Sequence, residues 1–241
     1  MSFETTKIVR LLKELDNLDF ADIIDMLETG DGEVLFSSAD SGLIFRSLPG
    51  TCFIAVTGND RESLYEHIIP SGLYSVHDDE TADYMRRKLG FEGDEPCYLY
   101  VFTEDSIEDS PCDIRPLDES FIPIVLQHYD AGEEYIRERI SSGNLFGAFI
   151  PESCLAGFAG FHSEGAMGML EVMPEYRRHG IGEALERFLI KEALKRGHVP
   201  YCNVYISNEK SIRLQTKLGL KRGSRFSHWI RKSDLPEECT K

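Results

Sequence analysis

The sequence has no long apolar run, no paired cysteine motif and few basic residues. None of its apolar stretches approaches the ~20 residues that a membrane-spanning helix needs. The N-terminal residues lack the basic and apolar regions of a signal peptide, which favours a cytoplasmic location without membrane association. The six cysteines are scattered without a C-x-x-C pair, which fits neither a zinc site nor a small disulfide framework. We therefore expect free thiols and no bound metal.

Basic residues are scarce overall but concentrated towards the C-terminus. The chain has 26 Lys and Arg against 42 Asp and Glu, a formal net charge of −16. From Glu171 onwards, however, 15 basic residues accompany 9 acidic ones, a net of +6, so the preceding 170 residues carry −22. A basic segment on an acidic body predicts a local site for an anionic ligand, with a chance cluster on one helix face as the alternative. The acidic remainder argues against extended nucleic-acid binding, because it would repel a long phosphate backbone.

The order of predicted elements indicates an α/β protein of two domains. Strands alternate with helices after an antiparallel start, which predicts a mixed sheet with helices on both faces. The acidic segment 104–111 has no apolar periodicity and is predicted to be a linker, so we place the domains at 1–110 and 111–241. After two opening helices, the first half has predicted strands at 33–36, 43–46, 51–56, 73–76 and 98–103 and helices at 61–69 and 81–89. The second half has predicted strands at 113–117, 145–150, 155–162, 167–172, 201–206 and 227–231 and helices at 119–129, 133–141, 182–196 and 209–217.

The segment from Val172 to Gly182 is the most informative part of the sequence. An apolar strand leads into a Pro turn, followed by Arg177, Arg178 and a Gly-x-Gly pair that opens a helix. The first N–H groups of a helix have no partner within it, and glycine lets an anion approach them closely. Arginine adds a charged, fork-shaped donor suited to phosphate. The segment thus predicts a phosphate-binding helix start, although Gly-x-Gly also occurs in ordinary turns.

A short internal repeat connects the two halves. Lys88-Leu89-Gly90-Phe91 matches Lys217-Leu218-Gly219-Leu220, and in both places a strand and a helix precede it and an aromatic strand follows. The shared order favours two copies of one fold, with chance similarity of a helix-ending glycine as the alternative. At the same offset, Arg177 falls on Leu48 and Gly182 on Phe53, so the N-terminal copy has no phosphate motif.

The sequence resembles the GNAT acyl-CoA-dependent N-acyltransferases. Arg177-Arg178-His179-Gly180-Ile181-Gly182 fits the R/Q-x-x-G-x-G/A signature of that family, and the segment 208–220 is similar to its later N-x-x-S/A-x-x-L-x-x-K-L-G-F segment. The resemblance covers about residues 112–232 and implies tandem GNAT folds, with a degenerate N-terminal copy and a C-terminal copy that carries the coenzyme A motif. The pairing is most similar to two-domain bacterial proteins related to the glycine N-acyltransferase group.

The resemblance also implies how the cofactor is held. It assigns the pyrophosphate of coenzyme A to the helix start and the pantetheine arm to the strand before it. Asn208 and Ser211 would contact the far end of the cofactor. A backbone N–H near Val172 would polarise the thioester carbonyl during direct attack by an amine. The implied cofactor-binding residues are Val172, Met173, Arg177, Arg178, His179, Gly180, Ile181, Gly182, Asn208 and Ser211.

The catalytic groups are less defined. Many family members carry a Tyr that protonates the departing thiolate at the position of Gln215, which cannot act as an acid. His162, Glu164 and Glu171 are the candidates for a general base, although His162 could simply end a strand and Glu171 could be an edge carboxylate. The resulting hypothesis is an acetyl- or short-acyl-CoA-dependent N-acyltransferase acting on a small amine. A non-catalytic acyl-CoA-binding module and a protein N-acetyltransferase stay open, as do roles of the N-terminal domain as a cover for the acceptor cleft, a structural cap or a homodimer surface.

Overall fold

A computed structural model of the chain describes residues 3–70, 72–93, 95–109, 112–150 and 154–232. Cys239 and residues 110–111 of the predicted linker lie outside these ranges. In the first half the elements are α1 (Phe3–Asp16), α2 (Ala21–Thr29), β1 (Gly32–Ser38), β2 (Gly42–Ser47), β3 (Cys52–Val56), α3 (Arg61–Tyr65), β4 (Gly72–Val76), α4 (Asp79–Leu89), β5 (Glu92–Gly93) and β6 (Cys97–Val101). They continue with β7 (Asp113–Pro116), α5 (Ile122–His128), α6 (Glu133–Ser141), β8 (Leu145–Ile150), β9 (Cys154–Phe161), β10 (Met167–Val172), α7 (Ile181–Arg196), β11 (Tyr201–Tyr205), α8 (Glu209–Lys217) and β12 (Lys221–Lys232).

Contacts between residues divide the chain into two compact units that interleave in sequence. The first unit comprises Met1–Val101, Asn203–Ile212 and Lys221–Lys241, and the second comprises Phe102–Cys202 and Arg213–Leu220. The last strand of the described chain, β12, therefore belongs to the first unit. The predicted boundary between residues 110 and 111 would separate two copies of one fold. It remains a prediction.

The strands form a mixed eight-stranded sheet and an antiparallel four-stranded sheet. The larger sheet has the order β1-β2-β3-β4-β12-β6-β11, with β5 paired to β12, and its β3–β4 pair is parallel. The smaller sheet has the order β10-β9-β8-β7, with antiparallel pairing throughout. The predicted mixed α/β architecture is confirmed.

The sheet of the first unit is covered by helices on both faces. Successive residues of β3 alternate between two apolar clusters, since Phe53 packs with residues of α1 and α2 while Ile54 packs with residues of α4. Both side chains are fully buried. A strand buried on both faces has a continuous apolar sequence, as in Cys52–Val56. The prediction of helices on both faces is therefore correct for this unit.

The second unit is built in the same way around its smaller sheet. One apolar cluster joins α5 and α6 to the strands, with Val125, Ile136 and Phe158 fully buried. Helix α7 packs against β8, β9 and β10, and its Leu185 and Leu189 are fully buried. The long helix that follows the glycine motif is thus anchored on the strand that precedes the motif.

The largest difference from the predicted elements is at the end of the chain. The strand predicted at 227–231 is the second half of β12, which extends from Lys221 to Lys232. Its first half pairs with β6, its second half pairs with β4, and the register shifts between Arg222 and Phe226. The carboxylate of the buried Asp19 accepts hydrogen bonds from the N–H groups of Ser224 (2.6 Å) and Arg225 (2.9 Å) at this irregularity. The side chain of Asp19, more than 200 residues away in sequence, thus accepts the backbone hydrogen bonds of this segment. The polar residues of the segment are typical of a turn.

Both copies of the short repeat end a helix in the same conformation. Gly90 follows α4 with φ +71°, and Gly219 follows α8 with φ +84°, a left-handed conformation that favours glycine. The order is β4, α4, Gly90, then the short β5 and β6 in one copy, and β11, α8, Gly219, β12 in the other. The predicted similarity between the two halves is present in the backbone.

His77 is a fully buried histidine of the first unit, and its Nε2 lies 3.3 Å from the hydroxyl of Ser75. Its Nδ1 lies 2.8 Å from the carbonyl oxygen of Asp19, and its Nε2 lies 3.1 Å from Oδ2 of the fully buried Asp22. Asp22 Oδ2 has no hydrogen bond within the described residues other than the one that a proton on Nε2 would supply. Burial by itself lowers the pKa of His77, but the Asp22 carboxylate and the Asp19 carbonyl raise it above its ordinary value.

Replacement of Asp22 tests this pair. Because the pKa of folded His77 lies above its ordinary 6.5, the stabilisation is complete below pH 6.5 and is lost as the pH rises through the folded value. We expect Asp22→Asn to lower the free energy of unfolding by about 3–5 kcal/mol near pH 6, with a smaller difference near pH 9. Denaturant unfolding across this range measures it, and a difference that does not vary with pH would contradict the assignment. The control Asp83→Asn removes an exposed partner of Arg87 and should change stability by less than about 0.5 kcal/mol.

Candidate functional site

The strand before the glycine motif, β10, is an edge strand of the four-stranded sheet and carries a bulge. Between the pairs Gly168–Gly160 and Glu171–Phe158, two residues of β10 face one residue of β9. One of them, Met169, has φ +54°, which is uncommon for a residue with a side chain. Such strained positions cost about 1–3 kcal/mol and concentrate at functional sites. The bulge interrupts regular pairing in the strand predicted to hold the thioester.

The end of β10 turns a backbone donor towards the edge of this sheet. The N–H of Met173 donates to the carbonyl of Ala156 at 3.0 Å. Since backbone groups of an antiparallel strand alternate in direction, the N–H and C=O of Val172 point away from β9. The carbonyl oxygen of Val172 already accepts a hydrogen bond from Nε of Arg177 at 3.0 Å. The N–H is therefore the group of Val172 that a ligand at this edge could bind. The role of this backbone in holding the thioester remains a prediction.

The start of α7 has no side-chain cap. Gly180 is the N-cap residue, with φ +79°, and its only capping contact is its carbonyl oxygen, which accepts from the N–H of Ala184 at 2.9 Å. Arg178 also has a positive φ, +67°. With no side-chain acceptor at the cap, the N–H groups of Ile181, Gly182 and Glu183 remain available to an anion. His179 is exposed directly before this turn.

The two arginines of the motif have different surroundings. Arg177 folds back on β10, where its guanidinium donates to the carboxylate of Glu171 at 2.8 Å as well as to Val172. Arg178 is exposed, and its side chain makes no ion pair within the part of the chain that the structure describes. Arg178 is therefore the freer of the two for a phosphate, while Arg177 braces the turn. Their contribution to cofactor binding remains a prediction.

Gly182 lies beside the apolar side chains at the end of β10. A Cβ at this position would be 3.5 Å from Val172 Cγ2 and 3.9 Å from Leu170 Cδ2, both ordinary contacts. A longer side chain would occupy the space between the first turn of α7 and β10. Gly180 has open space around it, but its positive φ makes any substitution strained. Gly182 is consequently the cleaner position for a test.

Among the residues that the structure describes, the first unit has no equivalent of this helix start. Its strand–helix–strand segment β3-α3-β4 contains a helix of five residues, against sixteen in α7. The N-cap of α3 is Asp60, whose carboxylate accepts from the N–H of Ser63. A carboxylate already occupies this position, which disfavours a phosphate. The junction between strand and helix in this segment lies at residues 57–60. It does not lie at Leu48 and Phe53, where the offset of the short repeat places it, because the two halves differ in length between corresponding strands.

The three candidate bases lie at opposite ends of β10. Glu171 is at its end and is paired with Arg177, while His162 and Glu164 lie in the turn that precedes it. The side chain of Glu164 accepts from the hydroxyl of Ser163 at 3.1 Å. His162 Nδ1 lies 2.9 Å from the hydroxyl of Tyr135. Burial lowers the pKa of His162, although Glu164 partly offsets this, so the ring is neutral at pH 7.

Asn208 and Ser211 lie together at the start of α8, in the first unit. Asn208 Oδ1 accepts from the N–H of Ser211 at 3.1 Å, the usual contact of an N-cap residue. The pair therefore has a local structural role, and the predicted contact with the cofactor remains a prediction. The motif residues from Val172 to Gly182 lie together in the second unit.

One pair of buried polar residues escaped the sequence analysis. Gln215 Nε2 donates to Oε1 of Glu186 at 3.0 Å, and both side chains are buried. Burial raises the pKa of Glu186 to about 7, although the hydrogen bond from Gln215 opposes this. The sequence signal was an acidic residue between Leu185 and Leu189 on the apolar face of α7.

No group of three or more metal-ligating side chains occurs among the described residues. None of the described helices is long and apolar enough to cross a membrane.

Comparisons with known proteins support the fold. Residues 113–220 match the sequence model of the acetyltransferase (GNAT) family. A Drosophila protein from a structural genomics programme is similar, with 14% identity and a TM-score of 0.66 over 95% of each chain. A putative GNAT-family acetyltransferase from Novosphingobium aromaticivorans has 19% identity and a TM-score of 0.51 over 91% of this chain and 98% of its own. A GNAT-family acetyltransferase from Colwellia psychrerythraea has 14% identity and a TM-score of 0.51 over 93% and 97%. No curated protein matches significantly. The predicted mixed α/β fold is confirmed, and the GNAT fold is shared with these solved structures over at least 91% of this chain. The arrangement as two tandem copies remains a prediction.

Substitution of Gly182 tests the helix start. We expect Gly182→Val to abolish coenzyme A binding, with at least a 100-fold weaker affinity, because the side chain blocks access to charge-assisted N–H donors worth about 1.5–3 kcal/mol each. Isothermal titration calorimetry measures the affinity, and thermal unfolding checks the fold. The matched control is Gly132→Val at the N-cap of α6, where φ is −66° and a Cβ meets nothing within 4 Å. Unchanged affinity of Gly182→Val would refute this placement of the cofactor.

Proposed function

We propose that this protein, whose residues 113–220 match the sequence model of the acetyltransferase (GNAT) family, is a member of that family and moves an acetyl or short acyl group from coenzyme A to the amine of a small molecule. The observation that carries the proposal is the uncapped start of α7 at the end of a bulged edge strand. This arrangement supplies N–H donors for a pyrophosphate and the N–H of Val172 for a thioester oxygen within one short segment. The family uses an acyl-CoA as the donor, which accounts for both features together.

The proposed reaction is direct attack of the amine nitrogen on the thioester carbonyl. The carbon–nitrogen bond forms, the carbon–sulfur bond breaks, and coenzyme A leaves as a thiolate. The N–H of Val172 would stabilise the negative charge that develops on the carbonyl oxygen. The attacking amine must lose a proton, and the thiolate must gain one. No cysteine is needed as an acyl carrier in this sequence of steps.

His162 is the candidate base whose electrostatic environment suits the role best. Its lowered pKa keeps the ring able to accept a proton at neutral pH, and the hydroxyl of Tyr135 fixes its orientation. Glu171 is instead paired with Arg177. Gln215 at the position of the usual acid is buried against Glu186, so we propose that the thiolate takes its proton from solvent. The small-amine acceptor and the relation to the glycine N-acyltransferase group rest on the sequence resemblance. The cytoplasmic location and a homodimer are likewise predictions from the sequence.

A non-catalytic acyl-CoA-binding module is the second candidate. Gln215 favours it, because its side chain cannot protonate the thiolate and is already engaged with Glu186. Such a protein would bind acetyl-CoA through the same helix start but would release no thiol with any acceptor. A protein N-acetyltransferase would release thiol only with peptide amines.

Thiol release separates these candidates. We expect free coenzyme A to form from acetyl-CoA with at least one amine in a panel of small molecules, and not with peptides alone. His162→Asn should lower kcat by about 10²–10⁴-fold, the usual contribution of a general base, while leaving the affinity for coenzyme A unchanged. Because the pKa of His162 is lowered, the limb of the pH profile that it causes should lie below pH 6.5.

Glu175→Gln, at an exposed residue of the turn before the motif, is the control for this variant and should keep wild-type kcat. Tight binding of acetyl-CoA without thiol release from any amine would support the binding module. Wild-type turnover in His162→Asn would exclude His162 as the base.

A further inference from the structure

Glu186 and Gln215 form a buried polar pair with two unused oxygens. Their exposed fractions are 3% and 1%, and Gln215 Nε2 donates to Glu186 Oε1 at 3.0 Å. The other oxygens, Glu186 Oε2 and Gln215 Oε1, have no hydrogen-bond partner among the residues that the structure describes. Both residues belong to the second unit. A buried polar atom without a partner costs about 1–3 kcal/mol, so two together require an explanation.

The protonation state of Glu186 decides whether these oxygens are satisfied. An ionised carboxylate only accepts hydrogen bonds, and the carbonyl oxygen of Gln215 also only accepts. A protonated carboxyl group has one O–H donor. A proton on Oε2 can therefore be donated to Oε1 of Gln215, which gives both unused oxygens a partner at once.

We propose that Glu186 is held as a carboxylic acid at mildly acidic pH, and that it forms a ring of two hydrogen bonds with Gln215 that fixes α7 to α8. The first turn of α7 lies only three residues before Glu186. Glu186 is thus a positioning residue for the helix start. That the ligand of this helix start is coenzyme A rests on the proposed function. Ionisation removes the O–H donor, opens the ring and loosens the helix start.

The surrounding charges favour the protonated form. Burial raises the pKa of Glu186 to about 7, and the only opposing influence is the hydrogen bond from Gln215. On these two helices, Arg187 and Lys217 both pair with Glu183. The other basic residues of α7 pair with Asp109 or Glu192, and Lys210 and Arg213 of α8 are exposed. Of the strands packed against α7, β8 has no titratable residue, β9 has only Cys154, and β10 has only Glu171, which is paired with Arg177. None of these elements turns an unpaired cation towards the carboxyl group.

Glu186→Gln is the matched variant for testing the pair. Two amides form the same two-hydrogen-bond ring, but they do not titrate near neutral pH. In an infrared difference spectrum of wild type minus Glu186→Gln, we expect the carbonyl band of a protonated carboxylic acid near pH 6 and its loss near pH 9. Absence of the band near pH 6 would overturn the proposal.

Stability gives an independent measurement. Because the pKa of folded Glu186 lies above its ordinary 4.5, the folded state binds more protons than the unfolded state between pH 4.5 and about 7. Stability therefore falls as the pH rises through this window. Relative to Glu186→Gln, the folding constant of the wild type should fall about tenfold per pH unit, roughly 300-fold in total. Parallel pH profiles for the two proteins would overturn the proposal.

Coenzyme A binding tests the positioning role. The ratio of the wild-type affinity to that of Glu186→Gln cancels the titration of the phosphates on coenzyme A itself. We expect this ratio of affinities, measured by calorimetry, to be near one at about pH 6. Near pH 8.5 we expect the ratio to be about fivefold lower. A constant ratio would overturn the positioning role while the infrared band supports the pair. If neither protein binds coenzyme A at pH 6, the proposed function and the positioning role fail together, and the infrared and stability results still decide the acid–amide pair.

Discussion

The unpaired N–H groups at the start of α7 are the constraint around which the second unit is organised. A helix start without a side-chain acceptor needs an anion or water, and here Gly180 supplies no acceptor of its own. The left-handed backbone at Arg178 and Gly180 turns the chain sharply from β10 into the helix. Arg177 holds that turn through the carbonyl of Val172 and the carboxylate of Glu171. The N–H groups of the helix and of Val172 thus come from one continuous segment.

The two halves share an order of elements but not this constraint. In the first unit the corresponding helix, α3, is one short turn whose N-terminus is capped by Asp60. An aspartate at the cap satisfies the helix locally and repels phosphate, whereas a glycine leaves the position available to a ligand. We infer that donor binding belongs to the second half alone.

Two buried ionisable groups show how neighbouring atoms set a protonation state. The pKa of His77 is raised in spite of burial, because its two ring nitrogens face the carboxylate of Asp22 and a backbone carbonyl. Glu186, in the proposed pair with Gln215, keeps its proton because burial disfavours the charge and no unpaired cation faces it. Both groups favour folding at lower pH, but they titrate in different windows. Burial acts in opposite directions on an acid and a base, and the nearest partner decides the outcome.

Much of the fold could be predicted from the sequence, because those features depend on neighbouring residues. The helices Glu133–Ser141 and Glu209–Lys217 and the strand Leu145–Ile150 have the bounds predicted from their local apolar pattern. The glycine motif was recognisable for the same reason, since its donors lie within one short segment.

Contacts between residues distant in sequence decided the rest. Asp19 satisfies the irregular part of β12, the bulge at Met169 depends on pairing with β9, and Glu186 meets Gln215 across two helices. The sequence by itself determined where the helix start lies and which ligand chemistry it favours. Only the tertiary structure decided which arginine is free, which base is neutral and which carboxyl group is buried, because burial and pairing arise when separate segments pack together.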